Sequence, residues 1–421
     1  MSLTGELKRT DSPIRQFLDE HLPNTKRLLA DYRLGAGRLL VPSSGANPGT
    51  VGTATDWLFR FLVYPHPDLR LAMAGARTVG VKAMAALMQL ADRVEGLVLA
   101  DGFGPGMYTP PQYQELEQEV LSRIARDLAA PLPSTAFPGP TAGSTIPPDL
   151  LLRACWALAL LTEVFRGGHL VLERGPLARF APRTAGGLVV DLPEVGVEDL
   201  LTLMPSSAIP ELAALHEVLE DAILPALASR VGTWHLGPTF AGSVAIGGAD
   251  ADLIAAGLLV ELKTTLGSKA ADGRRVCAID RTELYQVLGY AILDFKDRYR
   301  IDAVMVCNAR YGYVASWPLG PLVEELSGGK MDLAGARESC ASVLAEAQEV
   351  EPPSDGRSSG PAVAAEDIEH YPCPSCGAPK GLWLPRAGVS YGGVIICTEC
   401  RAWHSFGHRI TGGLRVGRRI S

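Results

Sequence analysis

Between Gly247 and Thr265 the chain reads Gly-Gly-Ala-Asp-Ala-Asp-Leu-Ile-Ala-Ala-Gly-Leu-Leu-Val-Glu-Leu-Lys-Thr-Thr, which places three carboxylates and an ammonium among apolar residues. With a tight turn near Gly257 the two halves form an antiparallel pair, and side chains alternate between its faces. Asp250 and Asp252 then share one face, as do Glu261 and Lys263. Two registers bring these pairs together: Leu253 opposite Leu258 sets Asp250 across from Glu261, and Ala255 opposite Leu258 sets Asp252 there. A slip of one residue from either separates them. Like charges gathered on one face repel, and burial makes this worse. A hard divalent cation, Mg2+ or Mn2+, relieves the conflict, and a neighbouring lysine can orient an attacking water or help deprotonate it. The chemistry suited to such a group is in-line phosphodiester hydrolysis.

A second constellation is metal-binding in another sense. Cys373-Pro-Ser-Cys376 and Cys397-Thr-Glu-Cys400 are two C-x2-C pairs separated by 20 residues, a zinc-site spacing. Four thiolates close the tetrahedral shell, so this Zn2+ is expected to be structural, and a module this small needs the added stability. From Tyr371 to Ser421 there are seven basic residues against Glu399 alone, interleaved with Trp383, Tyr391, Trp403 and Phe406. That mixture suits contact with a nucleic-acid backbone or single strands. Cys155, Cys277, Cys307 and Cys340 are isolated and read as small buried hydrophobes.

The elements positioning these residues follow from periodicity. Residues 1–200 read as mainly helical: a short helical pattern over Ser12 to Leu40, then Val81 to Leu99, Gln112 to Leu128 and a largely buried helix over Asp149 to Phe165. The helical pattern of Ile209 to Leu224 is stopped by Pro225. Strands are expected at Ser243 to Leu253 and Leu258 to Thr264. A helix follows over Arg281 to Tyr299, opened by Asp280 and Glu283 at capping-box spacing, and then strands at Ala303 to Cys307 and Tyr313 to Trp317. The fold class is thus α+β or α/β, with a mixed core over residues 201–344. The stretch Ala345 to His370, with seven acidic residues, one Arg and a Pro/Ser/Gly run, reads as an acidic flexible linker before a module at 371–421.

The whole chain of 421 residues has a formal charge of −7, which argues against a generic nucleic-acid coat. The charge is segregated: Asp191 to Asp221 holds eight acidic residues and no basic one, an expected acidic face. No segment is long and apolar enough to span a membrane, the first residues lack a signal-peptide core, and the reading is cytoplasmic. No G-x-x-x-x-G-K-[ST] occurs, and Gly102-Phe-Gly-Pro-Gly-Met107 is broken by proline, so a motor would have to come from a protein partner.

The order Asp250/Asp252, then Glu261-Leu-Lys263, then Gln286-x-x-x-Tyr290 on the following helix resembles the PD-(D/E)XK nucleases, and the Gln-x-x-x-Tyr element resembles their RecB-like exonuclease branch. The resemblance covers about Trp234 to Leu319. It implies a restriction-endonuclease-like mixed sheet flanked by helices and Mg2+-dependent cleavage of DNA, in repair or in defence against foreign DNA. Asp250, Asp252 and Glu261 would be metal ligands, with Asp250 leading. Lys263 would stand at the water, and Gln286 and Tyr290 would position the lysine or the nucleic-acid backbone. The interval from Asp252 to Glu261 is short for the family. Many members add an acid from an upstream helix, for which Glu217 and Glu220 are candidates here. The C-terminal cysteines resemble a zinc ribbon. Two other classes compete: a catalytically silent nucleic-acid-binding subunit, and a protein-interaction scaffold built on the helices and the ribbon.

Overall fold

The computed structural model describes residues 3–94, 135–137, 146–181, 183–185, 188–191, 193–246, 248–350 and four C-terminal strands between 382 and 419. By contacts the chain divides into two units, one of Met1–Gly102, Ser134–Arg183 and Val190–Gln348, the other of Phe103–Pro133, Thr184–Val189 and Glu349–Ser421. The class is mixed α+β. No described helix is long and apolar enough to cross a membrane.

The first unit begins with six helices: α1 (Leu3–Lys8), α2 (Pro13–His21), α3 (Lys26–Gly35), α4 (Pro48–Val63), α5 (Arg70–Val79) and α6 (Val81–Arg93). The Asn47 side chain caps α4 by accepting from the Gly49 and Thr50 amides, and Pro48 suits its first turn. Strand β1 (Thr135–Phe137) precedes α7 (Pro148–Arg174), which is interrupted at Gly168, where φ is 64°. Short strands β2 (Arg183–Ala185) and β3 (Leu188–Asp191) pair with each other. Helices α8 (Val197–Leu201) and α9 (Ala208–Val218) follow. The latter runs through a π-turn, Leu219–Ile223, into α10 (Leu224–Leu227). Pro225 therefore does not stop the helical run: it lies in the first turn of α10, where its missing N–H costs little.

Strands β4 (Trp234–Leu236), β5 (Leu253–Ala255), β6 (Leu258–Lys263), β9 (Ala303–Asn308) and β10 (Tyr313–Pro318) join β1 in one six-stranded sheet, ordered β1-β4-β5-β6-β9-β10. A small separate hairpin, β7 (Ser268–Lys269) with β8 (Arg275–Val276), follows β6. All pairs in the large sheet are antiparallel except β6 with β9. That parallel pair needs a crossover, which includes α11 (Arg281–Leu293). The Asp280/Glu283 capping box is formed, but α11 ends earlier than its sequence suggests. The Asp294 carboxylate accepts from the amides of Arg298 and Tyr299, turning the chain. The strand expected over Ser243 to Leu253 is also shorter, because Ala241–Ile246 winds as a 3-10 turn and pairing in β5 begins at Leu253.

The α11 stripe of Leu284, Val287, Leu288, Ala291 and Ile292 packs with Ile254, Leu259, Val304 and Val306 of the sheet. Leu3, Phe17, Leu18 and Tyr32 of the N-terminal helices join this core, as do residues of α12 (Leu319–Ser327) and α13 (Leu333–Val350). Helix α13 reaches Val350, so Ala345 to Val350 are helical rather than linker; the run Ala-Glu-Ala-Gln-Glu carries strong helix formers. Residues 351–370, the Gln112 to Leu128 pattern and Gly102 to Met107 lie outside the described residues. Cys155, Cys277, Cys307 and Cys340 are buried free thiols, as expected.

In the second unit β11 (Leu382–Trp383), β12 (Gly393–Cys397), β13 (Trp403–His408) and β14 (Leu414–Arg419) form an antiparallel sheet in that order. Cys397 ends β12, while Cys373, Cys376 and Cys400 lie outside the described residues.

Candidate functional site

The β5–β6 hairpin turns at Ala256 and Gly257, with φ of 46° and 86°, a pair of left-handed residues suited to a two-residue turn. Its register pairs Ala255 with Leu258, Ile254 with Leu259 and Leu253 with Val260. One step further sets Asp252 opposite Glu261, the second of the two arrangements open from sequence. The Leu262 amide donates to Asp252 Oδ2 at 2.7 Å, tying the carboxylate to β6. Asp250 lies further out, bridged to Thr239, with its carboxylate 3.5 Å from Arg166 and 39% exposed. It stands toward the rim, further out than Asp252.

Glu261 and Lys263 share the face of β6 that meets α11. Lys263 Nζ donates to Glu261 Oε1 at 2.8 Å and to Gln286 Oε1 at 2.8 Å; Gln286 Nε2 donates to the Tyr290 hydroxyl at 2.8 Å. Gln286 and Tyr290 lie one turn apart on α11, which puts both over the strand. The Tyr290 ring stacks on Phe240, centroids 5.6 Å apart. Glu261, Lys263, Gln286 and Tyr290 thus form one continuous chain of contacts.

The helical acid at this cluster is Asp56 of α4. Burial raises Asp252 well above the usual carboxylate range, helped by the charges of Glu261 and Asp56. Glu261 is also raised, by burial and by Asp56 and Asp250, against the opposing pull of Lys263. For Lys263 burial favours the neutral amine, but the Glu261 ion pair outweighs it and holds the ammonium charged. As placed, this lysine is a charge and a hydrogen-bond donor rather than a base. Of the upstream candidates, Glu217 and Glu220 are both exposed, Glu220 lying 3.3 Å from His216, whereas Glu211 of the same acidic stretch is buried against Arg310.

Two buried carboxylate oxygens in the cluster, Glu261 Oε2 and Asp56 Oδ1, have no hydrogen-bond partner. Buried polar atoms are ordinarily satisfied, so such orphans ask for a ligand or water. Among the described residues no three His, Cys, Asp or Glu side chains already converge on one point as a metal shell. One oxygen of each neighbouring aspartate is engaged with a protein donor: Asp252 Oδ2 with the Leu262 amide, Asp250 Oδ2 with Arg166 and Asp56 Oδ2 with Arg60.

Asp56 and Arg60 were not singled out from sequence. Their signal was available: they are the only charged residues in Pro48–Val63, spaced four apart in an otherwise apolar helix. Compared with models of known families, with curated proteins and with solved structures, the chain matches none.

Proposed function

We propose that this protein is a metal-dependent nuclease that hydrolyses phosphodiester bonds of DNA, with a site like that of the PD-(D/E)XK nucleases. The observation carrying this reading is the buried Glu261, which spends one oxygen on Lys263 and leaves the other unpartnered opposite Asp252. An oxygen-rich, under-neutralised donor set fits a hard cation, Mg2+ or Mn2+. Glu261 and Asp252 would hold it, with Asp56 or Asp250 completing the set. A bound ion there supplies charge stabilisation to the phosphoryl oxygens of the substrate.

The chain's own residues do the rest. Lys263, kept protonated by Glu261, donates to a water or phosphate oxygen. Gln286 fixes the lysine, and Tyr290, clamped by Phe240, fixes Gln286. Cys373, Cys376, Cys397 and Cys400 would hold a structural Zn2+, and the basic, aromatic-rich segment 371–421 would grip the nucleic acid. A role in DNA repair or in defence against foreign DNA follows from that resemblance.

The test incubates the full chain with linear, circular and single-stranded DNA and with RNA, in Mg2+, in Mn2+ and in EDTA. Metal-dependent fragmentation of DNA is the expected outcome. Cleavage surviving both Glu261→Ala and Lys263→Ala would contradict the mechanism. Salt-sensitive binding without cleavage, lost on deleting 371–421, would make the protein a binding subunit instead.

A further inference from the structure

Arg60 projects from α4 with its side chain only 7% exposed. Its Nε donates to Asp56 Oδ2 at 2.9 Å, and its guanidinium carbon lies 5.5 Å from the Trp57 ring centroid. On its other side it meets backbone: a Cβ at Gly237 would stand 3.1 Å from Nη1. Gly237 has φ of 59° and donates its amide to the Asp252 carbonyl at 3.0 Å. The guanidinium is therefore set against Gly237, in a notch between α4 and the end of β4, where the chain is bonded to the Asp252 carbonyl. The carboxylates of Asp56, Asp252 and Asp250 all act on it electrostatically.

Burying an arginine is costly unless it answers nearby negative charge. The formal charges nearest the cluster are Asp56, Asp252, Glu261 and Glu283 against Arg60 and Lys263, four negative and two positive. Asp250 and Arg166 form a pair of their own at the rim. The remaining two negative charges match one divalent ion. A second would leave the buried cluster with an excess of two positive charges.

We propose that Arg60 is a resident cation standing where a second divalent ion would otherwise bind, so that the cluster takes a single metal ion and is held together when none is bound. This rests on the metal-dependent reading above. Arg60 acts through Asp56 and Asp252, and is a positioning residue.

The experiment titrates Mn2+ calorimetrically into the full chain and follows thermal unfolding in EDTA and in Mn2+. Wild type binds one ion at the cluster; Glu261→Ala identifies that ion by losing it. Arg60→Gln melts lower than wild type in EDTA, binds the first Mn2+ roughly tenfold tighter or more, and takes up a second. Arg60→Lys, which keeps the charge, remains at one ion. Asp56→Asn, which leaves Arg60 without its partner, weakens binding by a similar factor, and the double variant Asp56→Asn/Arg60→Gln returns toward wild-type affinity. That double variant carries the test should Arg60→Gln not fold. If Arg60→Gln binds Mn2+ as wild type does or more weakly, or if the double variant recovers nothing, Arg60 is a packing brace and the inference fails. If wild type binds no ion at the cluster, the metal-dependent function itself fails.

Discussion

Two of the places where the first unit buries charge treat it oppositely. Arg310 is saturated: its guanidinium donates to Glu211 and to the carbonyls of Val41, Pro42 and Thr264. Glu211 answers with bonds from the Ser44 amide and hydroxyl; although burial opposes it, these and Arg310 hold its carboxyl below the usual range. At the β5–β6 hairpin the opposite holds. Asp252 and Glu261 are pushed up, and two carboxylate oxygens lack partners. A buried ion pair with every polar atom answered is a brace joining the 41–44 loop, α9 and the end of β6. A buried cluster left short of positive charge is what the proposed ligand site requires, with stability held in reserve for the ligand.

This contrast can be broken by mutation, and the largest effect is expected at the brace. Glu211→Ala strands Arg310 without a counter-charge and should cost about 3–5 kcal/mol in urea unfolding, whereas the apolar pair Glu211→Leu/Arg310→Met should recover most of that loss. If the single variant is nearly silent, the brace is not what holds these segments. The reverse sign is expected at the site. Asp252→Asn keeps an acceptor for the Leu262 amide and removes a disfavoured charge, so the metal-free protein should gain on the order of 1 kcal/mol at pH 8 while losing Mg2+-dependent activity. A loss of stability there would mean that Asp252 is structural.

pH sharpens the same comparison. Asp252 and Glu261 have folded-state pKa values above their unfolded ones, so the folded chain binds more protons and their contribution to stability falls as pH rises through that interval. The metal-free protein should melt progressively lower as pH rises from the unfolded carboxylate range upward, and saturating Mg2+ should lessen that fall. Glu211 has the opposite sign: its contribution is present above the unfolded carboxylate pKa and is lost as pH falls through the lower folded value. The smallest effect is expected for Tyr290→Phe, which removes the hydroxyl bond to Gln286 but keeps the ring on Phe240. About 1 kcal/mol of stability and a few-fold drop in turnover should follow.

Much of the site is local in the sequence, and that part was legible. Asp252, Glu261 and Lys263 sit on one hairpin whose turn is marked by Gly257, and Gln286 and Tyr290 follow on the next helix with its capping box in view. What sequence left open was a choice of register, settled only when two left-handed residues formed the turn and Ala255 met Leu258. Asp56 and Arg60 come from α4, just over two hundred residues before Glu261, and only tertiary packing brings them to the cluster. Periodicity finds such a helix without revealing where its two charges point. Glu211 misled for a related reason: within an acidic run it looks solvated, and its partner Arg310 lies on a distant loop.

The most direct test of the central claim compares wild type with Glu261→Gln on linear DNA in Mg2+, with EDTA as the blank. Wild type should fragment the DNA only with the metal, and the variant should be slower by roughly a thousandfold or more, comparable to losing a principal source of transition-state charge stabilisation. Equal cleavage by both proteins, or none by the wild type on any nucleic acid in Mg2+ or Mn2+, would contradict it.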